Sequence, residues 1–250
     1  MIQLHEIPTR APKGLEKEDI KRKTDRLTRR IGELQHIMYA EKKQNFLVVF
    51  QGMDASGKDG ATRKVFSYCN PTGILAYPFR KPTEEEFAHD FLWRISKRAP
   101  AKGMIQVFIR SHYEDVLIQR VHKWIDEEKV ADRIKAINVW ENHIQQDNNT
   151  TILKFYMHIS PERQKEKLQE RIDDPRKHWK HNDADWKEAE RWGEYMFCYE
   201  DAINRSEVPW IIAPVDQRWY RDYYIAEKVM SAMESLNMKL PTFDTMKRKE

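Results

Sequence analysis

Cysteine is almost missing from this chain: Cys69 and Cys198 are the only two in 250 residues. Two thiols cannot build a disulfide framework, so a packed core has to hold the fold and a reducing compartment is implied. No apolar run approaches the ~18 residues that a membrane-spanning helix needs. The opening residues, Met1-Ile-Gln-Leu-His-Glu6, contain no signal-peptide core. A soluble, cytoplasmic protein without a membrane partner is expected. Charge of one sign is also lacking, since 44 Lys and Arg against 40 Asp and Glu leave a net +4. So small an excess does not call for nucleic acid, although a local basic track for a polyanion remains open. Glycine is scarce too, with eight residues, and Gly52, Gly57 and Gly60 fall in one short stretch.

That stretch reads Gly52-Met-Asp-Ala-Ser-Gly-Lys-Asp-Gly60 and follows the apolar run Asn45-Phe-Leu-Val-Val-Phe-Gln51. A buried strand that breaks into G-x-x-x-x-G-K and then enters a helix is a phosphate cradle. Its glycines let backbone N–H groups wrap an anion, the helix adds its positive end, and Lys58 adds a mobile point charge. The candidate phosphate-binding residues are Gly52, Ala55, Ser56, Gly57, Lys58, Asp59 and Gly60, with Lys64 in the helix and Lys81 farther along the same rim. One group is absent here as well. Asp59 follows Lys58 where an ordinary P-loop carries the Ser or Thr hydroxyl that helps hold Mg²⁺. A second carboxylate, Asp54, sits inside the loop. At ~4 Å and an effective dielectric near 20, each carboxylate–phosphate contact would cost about 4 kcal/mol. The conflict disappears if a divalent cation lies between them, which makes Asp54 the candidate Mg²⁺ ligand.

The remaining pattern alternates. An irregular arm precedes a helix over 16–43, with Ile20, Leu27, Ile31, Leu34 and Met38 at three- and four-residue steps. Strands are expected at 45–51, 74–79, 104–109, 152–159 and 210–213. Helices are expected over 84–97 with Thr83 as N-cap, 113–128, 135–147, from Ser160-Pro161 onward, 186–205 and 219–236. Strand–helix alternation predicts an α/β fold, a three-layer αβα sandwich around a parallel sheet. Residues 1–44 form an N-terminal helix extension on the domain 45–240, with a helical lid near 171–185 and a tail over 241–250. Ligands bind at the carboxyl ends of such strands, which places 52–60, 79–81, 110–115 and 160–163 on one rim.

Phosphoryl transfer needs positive charge around the moving group more than it needs a protein nucleophile. Arg110, at the end of a strand neighbouring the loop, is the first candidate. His112 reads as a core or hydrogen-bonding histidine, because a phosphate-oxygen acceptor requires no general base. The segment Arg171-Ile-Asp-Asp-Pro-Arg-Lys-His-Trp-Lys-His181 is dense in cations and broken by Asp174-Pro175. As a flap it would exclude water and bring Arg171 to the transition state. A longer basic track would draw on Arg63, Lys64, Arg80, Lys81, Arg94, Lys97, Arg98 and Lys102. Trp179, Trp192, Tyr195, Trp219 and Tyr220 read as core aromatics.

Five segments together resemble the family-2 polyphosphate kinases: Gly52–Gly60, His89-Asp-Phe-Leu-Trp-Arg94, Arg110-Ser-His-Tyr-Glu-Asp115, Asp174-Pro-Arg-Lys-His-Trp-Lys180 and Asp216-Gln-Arg-Trp-Tyr220. The Ser-His-Tyr-Glu-Asp form is similar to the third class, which phosphorylates nucleoside mono- and diphosphates. The resemblance implies a P-loop kinase fold, Mg²⁺, inorganic polyphosphate as donor, adenine nucleotides as acceptors with guanine nucleotides next, and a homo-oligomer, dimer or tetramer. By position it assigns catalytic roles to Asp54, Lys58, Arg110 and Arg171, and nucleotide contacts to Arg94, Tyr113, Glu114 and Lys180. One departure is Ile109, where the family carries Asn or Asp; isoleucine cannot ligate a metal directly or through water. Two other readings compete. An ATP-dependent nucleoside monophosphate or small-molecule kinase would carry Ser or Thr at position 59. A non-enzymatic module binding nucleic acid would leave Asp54 unexplained.

Overall fold

The computed structural model of the chain describes residues 1–243. Its centre is β1 (Asn45–Gln51), buried along its whole length because every side chain in the run is apolar or a hydrogen-bonded amide. Around it stand β2 (Ile74–Pro78), β3 (Ile105–Ile109), β4 (Thr150–His158) and β5 (Trp210–Pro214) in the order β2-β3-β1-β4-β5, all parallel. Buried on both faces, such strands read as continuous apolar runs, which is why the sequence marks them. The expected five-stranded α/β sandwich is therefore present.

On one side, α1 (Lys17–Glu41), α2 (Lys58–Val65) and α10 (Arg218–Ser235) pack on one another. The apolar stripe of α1 lands as its spacing predicts, with Ile20, Ile31, Leu34 and Met38 buried and Leu27 half-buried against the core. Right-handed crossovers send α3 (Glu84–Ala88), α4 (Trp93–Ser96), α5 (Ile118–Val121), α6 (Glu127–Asn148) and α9 (Trp192–Asn204) to the other side. Between β4 and α9 run α7 (Pro161–Asp173), whose Arg163 and Glu166 share a cleft with residues of α1, α2 and α10, and α8 (Asp183–Glu190). The N-terminal arm is tied down rather than loose. Leu4 is buried, Ile7 O accepts from His158 Nε2 at 3.0 Å, and Thr9 Oγ1 donates to Asp216 at 2.8 Å. Of the expected tail over 241–250, residues 244–250 lie outside the described residues.

Several helices differ from expectation, each through a polar side chain that competes for the backbone. The helix expected over 84–97 is two, because Asp90 Oδ1 takes the Leu92 N–H at 3.0 Å. Thr83 does cap the first, in a capping box with Glu86. The helix expected over 113–128 shrinks to a 3₁₀ turn, His112–Val116, and the single turn of α5. Ser111 Oγ caps that turn by accepting from Tyr113 N. Asp126 then caps α6 through Lys129 N at 2.8 Å, so that helix begins well before residue 135. Asn182 starts α8 earlier than 186, and the chain breaks again at Arg191 before α9.

Because α1 belongs to this core, Ile31→Ala should destabilise the whole protein by about 2–5 kcal/mol. Chemical denaturation should show one transition at lower denaturant. A second transition, or none of this loss, would mean that α1 is a separate appendage.

Candidate active site

The carboxyl ends of β1, β3 and β4 are neighbours in the sheet, so the segments leaving them converge. The loop after β1 turns through positive φ at Gly52, Ala55 and Gly57. Gly52 is required by crowding as well: a Cβ there would stand 2.9 Å from Met157 O on β4. At Gly57, φ is +90°, and a Cβ would meet Arg221 Nη1 at 2.3 Å. Lys58 is buried, and its ammonium folds back to donate to Gly52 O at 2.7 Å and Met53 O at 3.0 Å. Burial is the main reason that its pKa falls to about 8, although Asp54 works against the fall.

Asp54 projects from the loop and forms a close ion pair with Arg110. Burial alone would raise the Asp54 pKa, but Arg110 and Lys58 outweigh it and hold the carboxyl below its ordinary value. Burial likewise disfavours the Arg110 cation, and Asp54 and Glu114 more than compensate. Arg110 itself sits at φ 62°, a left-handed conformation that a non-glycine residue adopts at a cost and that is met at functional sites. Its N–H donates to Phe50 O at 2.9 Å, which locks the end of β3 to β1. Gln164 of α7 donates to Asp54 O at 3.1 Å and steadies the loop from the third strand's side.

The segment expected as a lid, 171–185, reaches towards the loop. Arg171 donates to Asp185 at 2.5 Å and to Lys180 O at 3.1 Å, and its positive charge is felt at Asp54. Asp185 is pushed up by burial and then by Asp54, so the Arg110–Asp54 and Arg171–Asp185 pairs influence each other. Lys180 reaches Asp59 at 3.7 Å, joining the flap to the first turn of α2.

Several assigned residues stand elsewhere. Tyr113, expected at the nucleotide, is 1% exposed, and its hydroxyl is engaged with Lys154, Glu141 and Ser206. Arg94 is 6% exposed and spends its guanidinium on Arg80 O, Asp115 and Glu86. Both placements have one cause: each polar tip has an internal partner on an element that the sequence does not place beside it. Asp59 is exposed and faces Lys180 rather than the cradle. Glu114, half-buried, accepts from Gln51 at 2.5 Å at the rim. Lys81 is exposed beyond β2, with β3 between it and the loop. His112 is buried against Glu141, as expected of a core histidine. Trp179 is not core; it is exposed on the flap.

The basic track also runs on another path. Of the residues expected to line it, Lys64 faces a cleft of about 860 Å³ bounded by Arg10, Lys17, Lys21, Arg163 and Arg218. Arg221 closes its inner end, donating to Gly57 O at 3.2 Å while paired with Asp222. Half-buried Lys167 lies alongside, and burial first, then Arg221, Arg163 and Arg218, bring its pKa down to about 8. Arg98 and Lys97 instead cover Tyr77 and Trp93. Arg218 had a signal in the Asp216–Tyr220 segment, Arg163 in its place on the rim, and Arg221 only in standing next to that segment. Lys167 had none.

Among the described residues, no three His, Cys, Asp or Glu side chains are grouped to hold a metal. Asp54 offers one ionised carboxylate, and Ile109 packs partly buried against the core. This donor set fits a divalent cation that arrives with phosphate oxygens and keeps its waters, rather than one caged by protein.

A phosphate loop after the central strand of a parallel sheet, a cation at the end of the next strand and a cationic flap define a phosphotransferase of the P-loop kinase-like class. The chain belongs to the polyphosphate kinase 2 family, whose model matches residues 14–241. It is 40% identical over 226 residues to the AMP/ADP-polyphosphate phosphotransferase of Meiothermus ruber, covering 89% of this chain and 84% of that one. It is 36% identical over 236 residues to the ADP-polyphosphate phosphotransferase of Rhodopseudomonas palustris, covering 88% and 81%. The crystal structure of polyphosphate kinase 2 from Arthrobacter aurescens TC1 superposes with a TM-score of 0.93 at 36% identity, over 97% of this chain and 89% of that one.

An anion bound beside Lys167 favours its charged form, so its pKa must rise above about 8 on binding. Binding then takes up a proton at alkaline pH. Each such lysine should therefore lower the affinity for inorganic tripolyphosphate by up to about tenfold per pH unit above pH 8. Lys167→Met should flatten part of that slope in calorimetric titrations, with Lys58 supplying the remainder. An equally steep slope in the variant would remove Lys167 from the anion site.

Proposed function

We propose that this protein passes the terminal phosphoryl group of inorganic polyphosphate to AMP and ADP, forming ADP and ATP in a reversible reaction. The observation that carries the reading is the cleft of about 860 Å³ in which six cations, Arg10, Lys17, Lys21, Lys64, Arg163 and Arg218, outnumber four carboxylates. Arg221, bonded to Gly57 O, stands at the phosphate loop, and this excess of cations beyond the loop suits a polyanionic donor.

The chemistry follows from the placement of charge. Donor phosphates lie along Lys64, Arg163, Lys167 and Arg218, with the terminal phosphoryl at the loop. Asp54 would hold Mg²⁺ together with phosphate oxygens and water, and the ion when bound neutralises charge on the anhydride. Arg110 turns its guanidinium from Asp54 to the transferring group, and Lys58 unfolds from the carbonyls of Gly52 and Met53 towards it. Arg171 follows when the flap closes, exchanging Asp185 for phosphate oxygens, and closure excludes the water that would hydrolyse the donor. Both carboxylates keep their arginines placed until phosphate displaces them. The acceptor oxygen attacks in line, and it needs no protein base because it is already anionic.

Adenine nucleotides are the proposed acceptors, with guanine nucleotides as the next to try. No helix among the described residues is long and apolar enough to cross a membrane. The free thiols Cys69 and Cys198 suit a cytoplasmic setting. Exposed Leu75 and Phe87 near the edge strand β2 support a homo-oligomer.

Incubating the protein with AMP, Mg²⁺ and polyphosphate, with ATP left out, should yield ADP and then ATP by chromatography. If neither forms while ATP phosphorylates AMP, the chain is an ATP-dependent kinase instead. Asp54→Asn should lower kcat by a factor on the order of 10³ or more while circular dichroism stays unchanged. Turnover near that of the wild type would refute the proposed metal ligand.

A further inference from the structure

A fully buried charge pair lies under the turn that carries Arg110. Lys154 of β4 and Glu141 of α6 are fully buried, with Nζ 2.5 Å from Oε2. Lys154 also donates to Tyr113 Oη at 2.6 Å and to Ser206 Oγ, and it lies over the Trp210 ring at 5.1 Å. The other carboxylate oxygen, Oε1, takes the Tyr113 hydroxyl at 3.2 Å and His112 Nε2 at 3.1 Å. His112 is kept neutral mainly by its burial, so Nε2 carries the proton it gives to Glu141.

A buried ion pair is a poor way to gain stability, since apolar side chains of equal volume do as well or better. What such a network does supply is a single geometry for the groups that it satisfies. Here those groups are His112 and Tyr113, the second and third residues after Arg110. The same turn is held from its other side by Gln51, which accepts from Ser111 Oγ at 3.1 Å and donates to Glu114 at 2.5 Å. Between the two clamps, Arg110 keeps its left-handed backbone and its pairing with Asp54.

We propose that Lys154 and Glu141, acting through His112 and Tyr113, are positioning residues that fix the turn 110–114 and so aim the Arg110 guanidinium at the transferring phosphoryl. The inference rests on the phosphotransferase reading above. None of the four touches substrate; they set how often Arg110 is in place. Polyphosphate and nucleotide are bound chiefly by other residues, so loosening the turn lowers kcat and leaves KM nearly unchanged.

The test is the double variant Lys154→Met/Glu141→Leu, which removes both charges and keeps the volume. It should unfold in one step below the wild-type temperature, because His112 Nε2–H and the Tyr113 hydroxyl lose their buried acceptor, and its kinetics are read well under that transition. Its kcat should drop roughly tenfold or more, because an angstrom of misplacement costs that much or more. KM for AMP and for polyphosphate should stay within about twofold. The Arg110 Nε–H resonance, sharp in the wild type, should broaden. Lys154→Arg, which keeps the pair, should retain most of kcat and the sharp resonance. A folded double variant with wild-type kcat, or one whose loss only tracks its unfolded fraction, overturns the proposal. If the double variant does not fold, Tyr113→Phe decides. It should show a smaller fall in kcat with a broadened Arg110 signal, and an unchanged kcat and signal refute the idea. Should the wild type itself transfer nothing from polyphosphate, the functional reading fails first and is seen to fail separately.

Discussion

The ion pair between Asp54 and Arg110 joins the ends of two adjacent parallel strands, and the rest of the site is arranged around it. Neither charge could sit there alone. Burial works against the ionised form of each, and each is kept ionised by the other. Parallel pairing of β1 with β3 brings the two chain segments to one place. The left-handed turn at Arg110 then directs the side chain back across the loop.

The same device recurs around the cradle. Arg171 rests on Asp185, Lys180 on Asp59 and Arg221 on Asp222. A cluster of unpaired cations would repel itself and raise the cost of folding. Carboxylate partners hold these cations in position, and in the proposed reaction phosphate oxygens would take their place, so the charges are organised before binding. Lys167 is different: it has no ion pair among the described residues, and its pKa is depressed first by burial and then by Arg221, Arg163 and Arg218.

Much of the architecture was legible in the chain. The strand–glycine-loop–helix at 45–65 and the five strands were readable because buried parallel strands are apolar throughout and the loop has a fixed grammar. The α1 stripe was readable from its three- and four-residue steps. Helix boundaries at Asp90, Ser111, Asp126 and Asn182 were harder, since each depends on whether a small polar side chain captures a backbone N–H. That competition is decided by packing around the turn. The motif segments pointed correctly to the family, yet they could not say which of their residues face the ligand. Arg94 and Tyr113 belong to them and are buried in internal pairs.

By itself, then, the order of residues determined the phosphate loop, the alternating sandwich and the cationic segments, because those follow from local backbone preference and apolar periodicity. Only the tertiary structure decided which charges meet. Lys154 with Glu141, Arg110 with Asp54 and Arg221 with Gly57 are joined across strands, helices or long stretches of chain. Such pairings depend on the angle at which each side chain leaves its element, and on which cations remain unneutralised after the core has closed. Neither quantity is a property of a segment; both arise when the sheet and its two helical layers come together.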